Sequence, residues 1–333
     1  MRILVASPID AAALKELQKE HDTVCAHDPT TDSLKRLIDG SEALIFRSGV
    51  SITAELMDCA PGLKLLIRAG SGIDNLDMEY VRRRGLELIR IPEPGAKAVA
   101  EMSFALMLAL SRNLVEADRL TRMGRWAKHE LTGYLLTGKT LGVVGVGNIG
   151  SRVAQMGVVW GMQVVGCVEH PSLARAVEMN ARGIRLVDFG EVMSKADYIS
   201  VHVPLKESTR SLIDGDAFAR MKPGVFVINL ARGGVLDEDA LCKVMSNGGG
   251  VRGAALDVHK DEGEGRISPL AGLKNVILTP HIGAMTIDSQ RQIGSRILEV
   301  MRSFTSNGGS CMRNSADGQL VADCAPSLVG PPS

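Results

Sequence analysis

The chain has 333 residues, 45% hydrophobic and 23% charged, the composition of a globular protein long enough for two domains with sizeable cores. Its 38 Lys and Arg balance 38 Asp and Glu, which excludes bulk attraction to nucleic acid or to an anionic membrane and makes any anion recognition local. The longest strongly apolar run, Phe104–Leu110, falls far short of the roughly 20 residues that span a bilayer. Met1–Ser7 reads as a first strand and not as a secretory leader, so a cytoplasmic location is expected. Cys25, Cys59, Cys167, Cys242, Cys311 and Cys324 show neither CxxC nor Cys/His spacing, so reduced thiols are expected, with no metal site and no disulfide framework.

From the N-terminus, Arg2–Ala6 is an apolar strand, Ala11–Lys19 has helical spacing, and Ala43–Phe46 and Leu63–Arg68 read as further buried strands with helical patterns between them. That alternation predicts a parallel sheet wound with helices. The strands end in Arg47-Ser48-Gly49 and Ala69-Gly70-Ser71-Gly72, glycine-containing turns at the sheet end where ligands meet open α/β sheets. The run IPEPG at 91–95 breaks the pattern as a hinge. A long apolar helix follows from Ala96 to Arg112, and Leu114–Gly124 reads as its prolongation.

Leu141–Val153, LGVVGVGNIGSRV, joins a short buried strand, a tight turn and the start of a helix. Gly145, Gly147 and Gly150 stand at GxGxxG spacing: the first for the turn, the second for close approach of backbone to a pyrophosphate, the third for packing helix on strand. The helix start offers unpaired N–H groups to phosphates. The fingerprint places an acidic residue about 20 residues on to receive the ribose hydroxyls. Glu169 is the candidate there, with His170 beside it as a group that favours a phosphate, so NAD is expected and NADP stays open.

A second strand series then reads Val164–Cys167, Tyr198–Val203, Val225–Leu230, Gly253–Leu256 and Val276–Leu278. The amphipathic helix near Ile287–Ser303 should return to the first domain, and 305–333, rich in Gly, Ser and Pro, reads as a mobile tail. The expectation is two doubly wound parallel-sheet, Rossmann-like α/β domains with a cleft between them. Residues 1–95 with 286–304 form a flavodoxin-like substrate domain, and 96–285 form the nucleotide domain.

Three polar spots fall at strand ends of the second series: Asn229–Gly234, Ala255–Val258 with Asp261 and Glu262 behind, and Thr279–Gly283. Hydride transfer to a 2-keto acid needs a cation for the carboxylate and an acid for the developing alkoxide. Arg232 and His281 supply both, and Glu262 is the first choice of carboxylate to fix the tautomer of the imidazole and favour its protonated form.

Taken together, FRSGVSIT, RAGSGIDNLD, GKTLGVVGVGNIGSRVA, ADYISVHVPLKESTRSLI, MKPGVFVINLARGGVLDEDAL, AALDV and TPHIGAMT make the chain resemble the D-isomer-specific 2-hydroxyacid dehydrogenase family, its D-3-phosphoglycerate dehydrogenases most of all, from Arg2 to about Ser303. The resemblance implies Arg232, Glu262 and His281 as the catalytic set, and Arg232 with the backbone amides at Ser71 and Gly72 as the substrate carboxylate site. It implies nucleotide contacts at Asn148, Ile149, Val203, Pro204, Leu230, Ala231, Asp257 at the carboxamide, and Gly283. It also implies a homodimer built around the long helix.

The chain departs from the family pattern in several places. Val168 stands where the family's ribose aspartate falls, DVHKDEG replaces DVFxxEP, with Asp261 and Glu264 as rivals to Glu262, and Lys97 takes a position that is small and polar in the phosphoglycerate enzymes. No carboxy-terminal regulatory domain is found, so serine feedback through one is not expected. Arg47 and Arg68, with Lys97 as a third cation, suggest a distal phosphate, phosphonate or sulfonate on the substrate, such as 3-phosphoglycerate. The alternatives are a glyoxylate or hydroxypyruvate reductase or general D-2-hydroxyacid dehydrogenase, a formate dehydrogenase on the same fold, and, from another class, an NAD-sensing corepressor-like binding protein.

Overall fold

The computed structural model describes residues 1–26, 30–307 and 321–323. It divides into two compact units, Met1–Ala96 with the chain from Met285 onward, and Lys97–Ala284. In the first unit β1 (Arg2–Val5), α1 (Ala11–Glu20), β2 (Asp22–Cys25), α2 (Thr31–Leu37), β3 (Ala43–Phe46), α3 (Ala54–Asp58), β4 (Leu65–Arg68), α4 (Met78–Arg84) and β5 (Glu87–Arg90) alternate strand and helix. Every residue of β3 and β4 is buried, as strands covered by helices on both faces must be. The strands pair in parallel in the order β2-β1-β3-β4-β5. The order reverses between β1 and β3, and there the Arg47 N–H donates to Ser7 Oγ at 3.1 Å. Helices start where side chains cap them: Asp10 accepts from Ala12 and Ala13, Thr53 from Leu56, and Asp77 from Tyr80.

The expected helix from Ala96 through Gly124 is corrected at both ends. α5 (Glu93–Ser111) begins earlier, because Pro94 sits in its first turn, where a missing N–H costs no intrahelical bond. Asn113 then takes a left-handed φ of 51° and ends the run, so α6 (Leu114–Arg122) is a separate helix bent 59° from α5. Among the described residues no single helix is long and apolar enough to cross a membrane.

The second unit continues with β6 (Thr140–Val144), α7 (Asn148–Val159), β7 (Gln163–Cys167), α8 (Leu173–Ala181), β8 (Ile184–Leu186), α9 (Phe189–Lys195) and β9 (Tyr198–Val201). It ends with α10 (Gly215–Arg220), β10 (Val225–Asn229), α11 (Glu238–Ser246), β11 (Val251–Leu256) and β12 (Val276–Leu278). All seven strands are parallel, in the order β8-β7-β6-β9-β10-β11-β12, so the sheet order reverses between β6 and β9. One core holds Val192, Ile199, Val227 and Leu256; the other holds Leu141, Val143, Val153, Tyr198 and Ile228. Parallel doubly wound sheets take ligands at the carboxyl ends of strands beside such a reversal, which points to the chain just after β6 and β9.

α12 (Ile287–Ser306) belongs to the first unit, where Ile293, Ile297, Val300, Met301 and Phe304 are buried with Ile3, Val5 and Leu17. Gly294 lies so close to α1 that a Cβ there would stand 2.8 Å from Ala13 Cβ. Of the expected tail, Thr305 and Ser306 are helical and β13 (Val321–Asp323) pairs in parallel with β5; its remaining parts, 308–320 and 324–333, lie outside the described residues. Cys25, Cys59, Cys167 and Cys242 are free thiols, while Cys311 and Cys324 lie outside the described residues.

Candidate active site

At the end of β6 the chain turns on Gly145, whose φ is 95°; a Cβ there would overlap the His202 carbonyl at 2.9 Å. A Cβ on Gly150 would lie 2.1 Å from the Gly145 oxygen, so only glycine lets α7 start against the turn. Gly147 meets nothing within 4 Å, and it begins α7 with no side-chain cap, which leaves the first N–H groups, with Asn148 and Ile149, for an anion. A dinucleotide's pyrophosphate fits this cradle. After β9 come His202 and the Val203-Pro204 turn, and after β10 the buried Leu230 and Ala231.

The carboxylate expected at the ribose, Glu169, has two side-chain partners. Glu169, past the end of β7, accepts from Lys206 Nζ and Ser208 Oγ, both at 3.3 Å. The Lys206 hydrogen bond and charge hold its carboxyl below the usual range. Nothing in the sequence pointed to Lys206 or Ser208, which are 37 and 39 residues away along the chain.

His281 and Glu262 meet: Nδ1 and Oε2 are 2.9 Å apart. Glu262 Oε1 also accepts the His259 N–H at 3.1 Å. Burial works against the Glu262 carboxylate, but the His281 hydrogen bond and charge and the His259 N–H outweigh it and keep the carboxyl below its usual range. Of the three acidic candidates on this loop, Glu262 is the one bonded to the imidazole. With Glu262 as acceptor the ring carries a proton on Nδ1, and Nε2 makes no hydrogen bond among the described residues.

Asp257 is almost fully buried, and its carboxylate accepts from Thr279 Oγ1 at 2.6 Å, Ile282 N at 2.9 Å and Gly283 N at 2.7 Å. The residue expected at a nicotinamide carboxamide is thus the organiser of the His281 turn. Arg232 sits in the turn after β10, where buried Asn229 accepts the Ala231 N–H and donates to the Arg232 carbonyl. Gly233 brings that turn against the Glu262 loop so closely that a Cβ would lie 1.8 Å from the His259 oxygen. Gly233 and Thr279 fall inside the polar spots read from the sequence, but their parts, a close approach of two loops and a hydroxyl donated to Asp257, carried no signal there.

The first-unit residues divide. Arg68 is only 3% exposed, donates from Nε to the Gly72 carbonyl at 2.7 Å and lies over the Phe46 ring. Those contacts give it a part in anchoring the 70–72 loop. Arg47 bonds the amide oxygen of Gln290 at 2.6 Å, and burial alone lowers its pKa. Ser71 and Gly72 use their carbonyls for Arg90 and Arg68, while among the described residues nothing accepts from their amide N–H groups. Lys97 is exposed on α5. Among the described residues no group of His, Cys, Asp and Glu is placed to hold a metal ion.

Residues 104–283 match the model of the D-isomer specific 2-hydroxyacid dehydrogenase NAD-binding domain. The chain is 38% identical over 301 residues to D-3-phosphoglycerate dehydrogenase 2, chloroplastic, of Arabidopsis thaliana, covering 90% of this chain and 48% of that one. It is 37% identical over 302 residues to the hydroxypyruvate reductase of Thermotoga maritima, covering 90% of this chain and 96% of that one. The chain thus spans about half the length of the plant relative and nearly all of the reductase. The structure of Aquifex aeolicus D-lactate dehydrogenase complexed with NAD and lactic acid superposes with a TM-score of 0.81 at 29% identity, covering 92% of this chain and 96% of that one. The chain belongs to the D-isomer specific 2-hydroxyacid dehydrogenase family, and its second unit carries the NAD-binding domain.

Proposed function

We propose that the chain interconverts a D-2-hydroxy acid and its 2-keto acid, with Arg232, Glu262 and His281 as the catalytic set. The observation that carries this is the 2.9 Å pairing of His281 with Glu262, which leaves Nε2 unengaged in an NAD-binding unit. The bound dinucleotide supplies or accepts the hydride. Gly145, Gly147, Asn148, Ile149 and Gly150 receive its phosphates, and Val203, Pro204, Leu230, Ala231, Asp257 and Gly283 line the rest of its seat. In the reducing direction His281 gives its Nε2 proton to the carbonyl oxygen as that oxygen gains electron density, and in the oxidising direction it takes the hydroxyl proton back. Glu262 stabilises the imidazolium and fixes the ring. Arg232 holds the substrate carboxylate. An NAD-sensing binding protein has no need of this acid–base pair.

Arg47 supports a substrate with a distal phosphate, phosphonate or sulfonate such as 3-phosphoglycerate: its half-buried guanidinium is held by an amide, so its charge remains for an anion. Lys97 is a second cation for that group. The bond of buried Arg68 to the Gly72 carbonyl supports a second reading, a hydroxypyruvate or glyoxylate reductase with no distal anion. Arg47→Ala decides between them. It should raise KM for the phosphorylated substrate far more than for hydroxypyruvate or glyoxylate, and equal effects would remove the distal-anion reading. We also propose that a second copy covers the exposed Leu114, Val115, Met123, Trp126 and Leu135 around α6. Light scattering should report a dimer that Trp126→Asp weakens.

A further inference from the structure

Resting on the dinucleotide reading above, we propose that the adenosine-ribose position of this chain accepts a 2′-phosphorylated dinucleotide as well as the unphosphorylated one, with Lys206 and Arg175 as the cations that receive the phosphate. A carboxylate at the end of the second strand of such a unit ordinarily repels that phosphate. Here the position after Cys167 is the apolar Val168, and the following Glu169 has one oxygen on Lys206 and the other on Ser208. Its negative charge is already offset.

The pair is built to exchange. Glu169 and Lys206 are 50% and 55% exposed and 3.3 Å apart, the long, solvated kind of ion pair that is worth little. A phosphate monoester, with about two negative charges near neutral pH and three acceptor oxygens, competes well with one carboxylate for the ammonium. Lys206 thus shields Glu169 when the ribose is unmodified and turns to the phosphate when it is not.

Arg175 supplies a second, fixed cation. Its NH2 group donates to the Val146 carbonyl, inside the glycine turn, at 3.1 Å, and its NH1 group meets Glu178 at 2.8 Å. Glu178 is shared with Arg182, also at 2.8 Å, so it does not cancel the Arg175 charge. Gly166 on β7 makes room for this arrangement, since a Cβ there would stand 2.4 Å from Val146 Cγ2. The guanidinium is therefore pinned beside the turn that approaches the pyrophosphate, with further N–H donors to offer.

Calorimetric titration of the whole chain with NADH and with NADPH, without substrate, tests the inference. The expected result is an NADPH Kd within about thirtyfold of the NADH Kd, each of Lys206→Ala and Arg175→Ala weakening NADPH by about tenfold with NADH changed less than about threefold, and Glu169→Gln tightening NADPH. NADPH binding more than about thirtyfold weaker than NADH, or equal weakening of both by Lys206→Ala, overturns it. If NADH binds and NADPH does not, this inference alone falls. If neither binds, the dinucleotide reading falls with it.

Discussion

Asp257 grips the chain on both sides of His281: its carbonyl accepts the His281 N–H at 2.8 Å, and its carboxylate accepts the next two N–H groups. His281 has a φ of 55°, a conformation that costs a non-glycine residue roughly 1–2 kcal/mol. Those bonds hold it there. The imidazole reaches Glu262 because a buried carboxylate that never bonds the ring fixes the backbone beneath it.

Asp257→Ala should therefore cost both stability and turnover. It strands two turn N–H groups and a threonine hydroxyl, which predicts a loss of about 3 kcal/mol in denaturant unfolding. In the folded fraction kcat should fall as steeply as in a His281 variant.

His281→Asn should lower kcat by about 100- to 10,000-fold, the usual worth of a positioned proton donor, with dinucleotide affinity unchanged. Glu262→Gln keeps the shape and removes the charge. Because the native Glu262 carboxyl lies below its usual range, its charge persists through neutral pH and is lost only as the pH falls through that lowered value. An acid limb in the kcat profile of the wild type that is missing from Glu262→Gln is the expected outcome.

Gly233→Ala should displace the Arg232 turn, since the new methyl group would overlap the His259 carbonyl. Misplacing a catalytic group by about 1 Å can cost a factor of about 100 in rate. Steady-state kinetics should show that loss, with the dinucleotide Kd close to wild type.

Arg68→Ala and Arg47→Ala should separate structure from recognition. Removing the buried Arg68 frees the 70–72 loop and uncovers Phe46, which should lower stability by about 2 kcal/mol and reduce activity toward every substrate alike. Arg47→Ala should leave Tm within about 2 °C and act on KM for the distally charged substrate.

His202 gives the fold an acid sensitivity of its own. Burial pushes its pKa down from 6.5 to about 3, with Nε2 on Ser200 and Nδ1 shut away from solvent. The unfolded chain takes up this proton below 6.5 and the folded one does not, so stability is complete above 6.5 and declines toward pH 3 by up to about 1.4 kcal/mol per unit. Denaturation followed against pH should show a shallower slope in His202→Gln.

The candidate features legible in the sequence are those whose chemistry is carried by residue type at fixed local spacing. The GxGxxG turn, His281 after its proline, and Arg232 in its glycine-flanked turn are of that kind, and β3 and β12 fall on their expected residues. The burial of Arg68 and its bond to the Gly72 carbonyl were not legible, because a charged residue at a strand end looks the same in sequence whether it faces solvent or a backbone carbonyl. Asn113 broke a helix that periodicity carried through, since a single left-handed residue leaves the apolar pattern intact. Lys206 meets Glu169 through sheet topology, which no local spacing encodes.

The placement of α12 has a consequence for biosynthesis. Ile293, Ile297, Val300 and Phe304 close a hydrophobic layer begun by Ile3 and Val5, so the first unit lacks one wall until α12 has left the ribosome. The second unit is one uninterrupted stretch and meets no such delay. A nascent chain stopped at Thr286 should already protect the glycine turn from protease while β1 and α1 stay open to cleavage, so the nucleotide-handling unit is finished first.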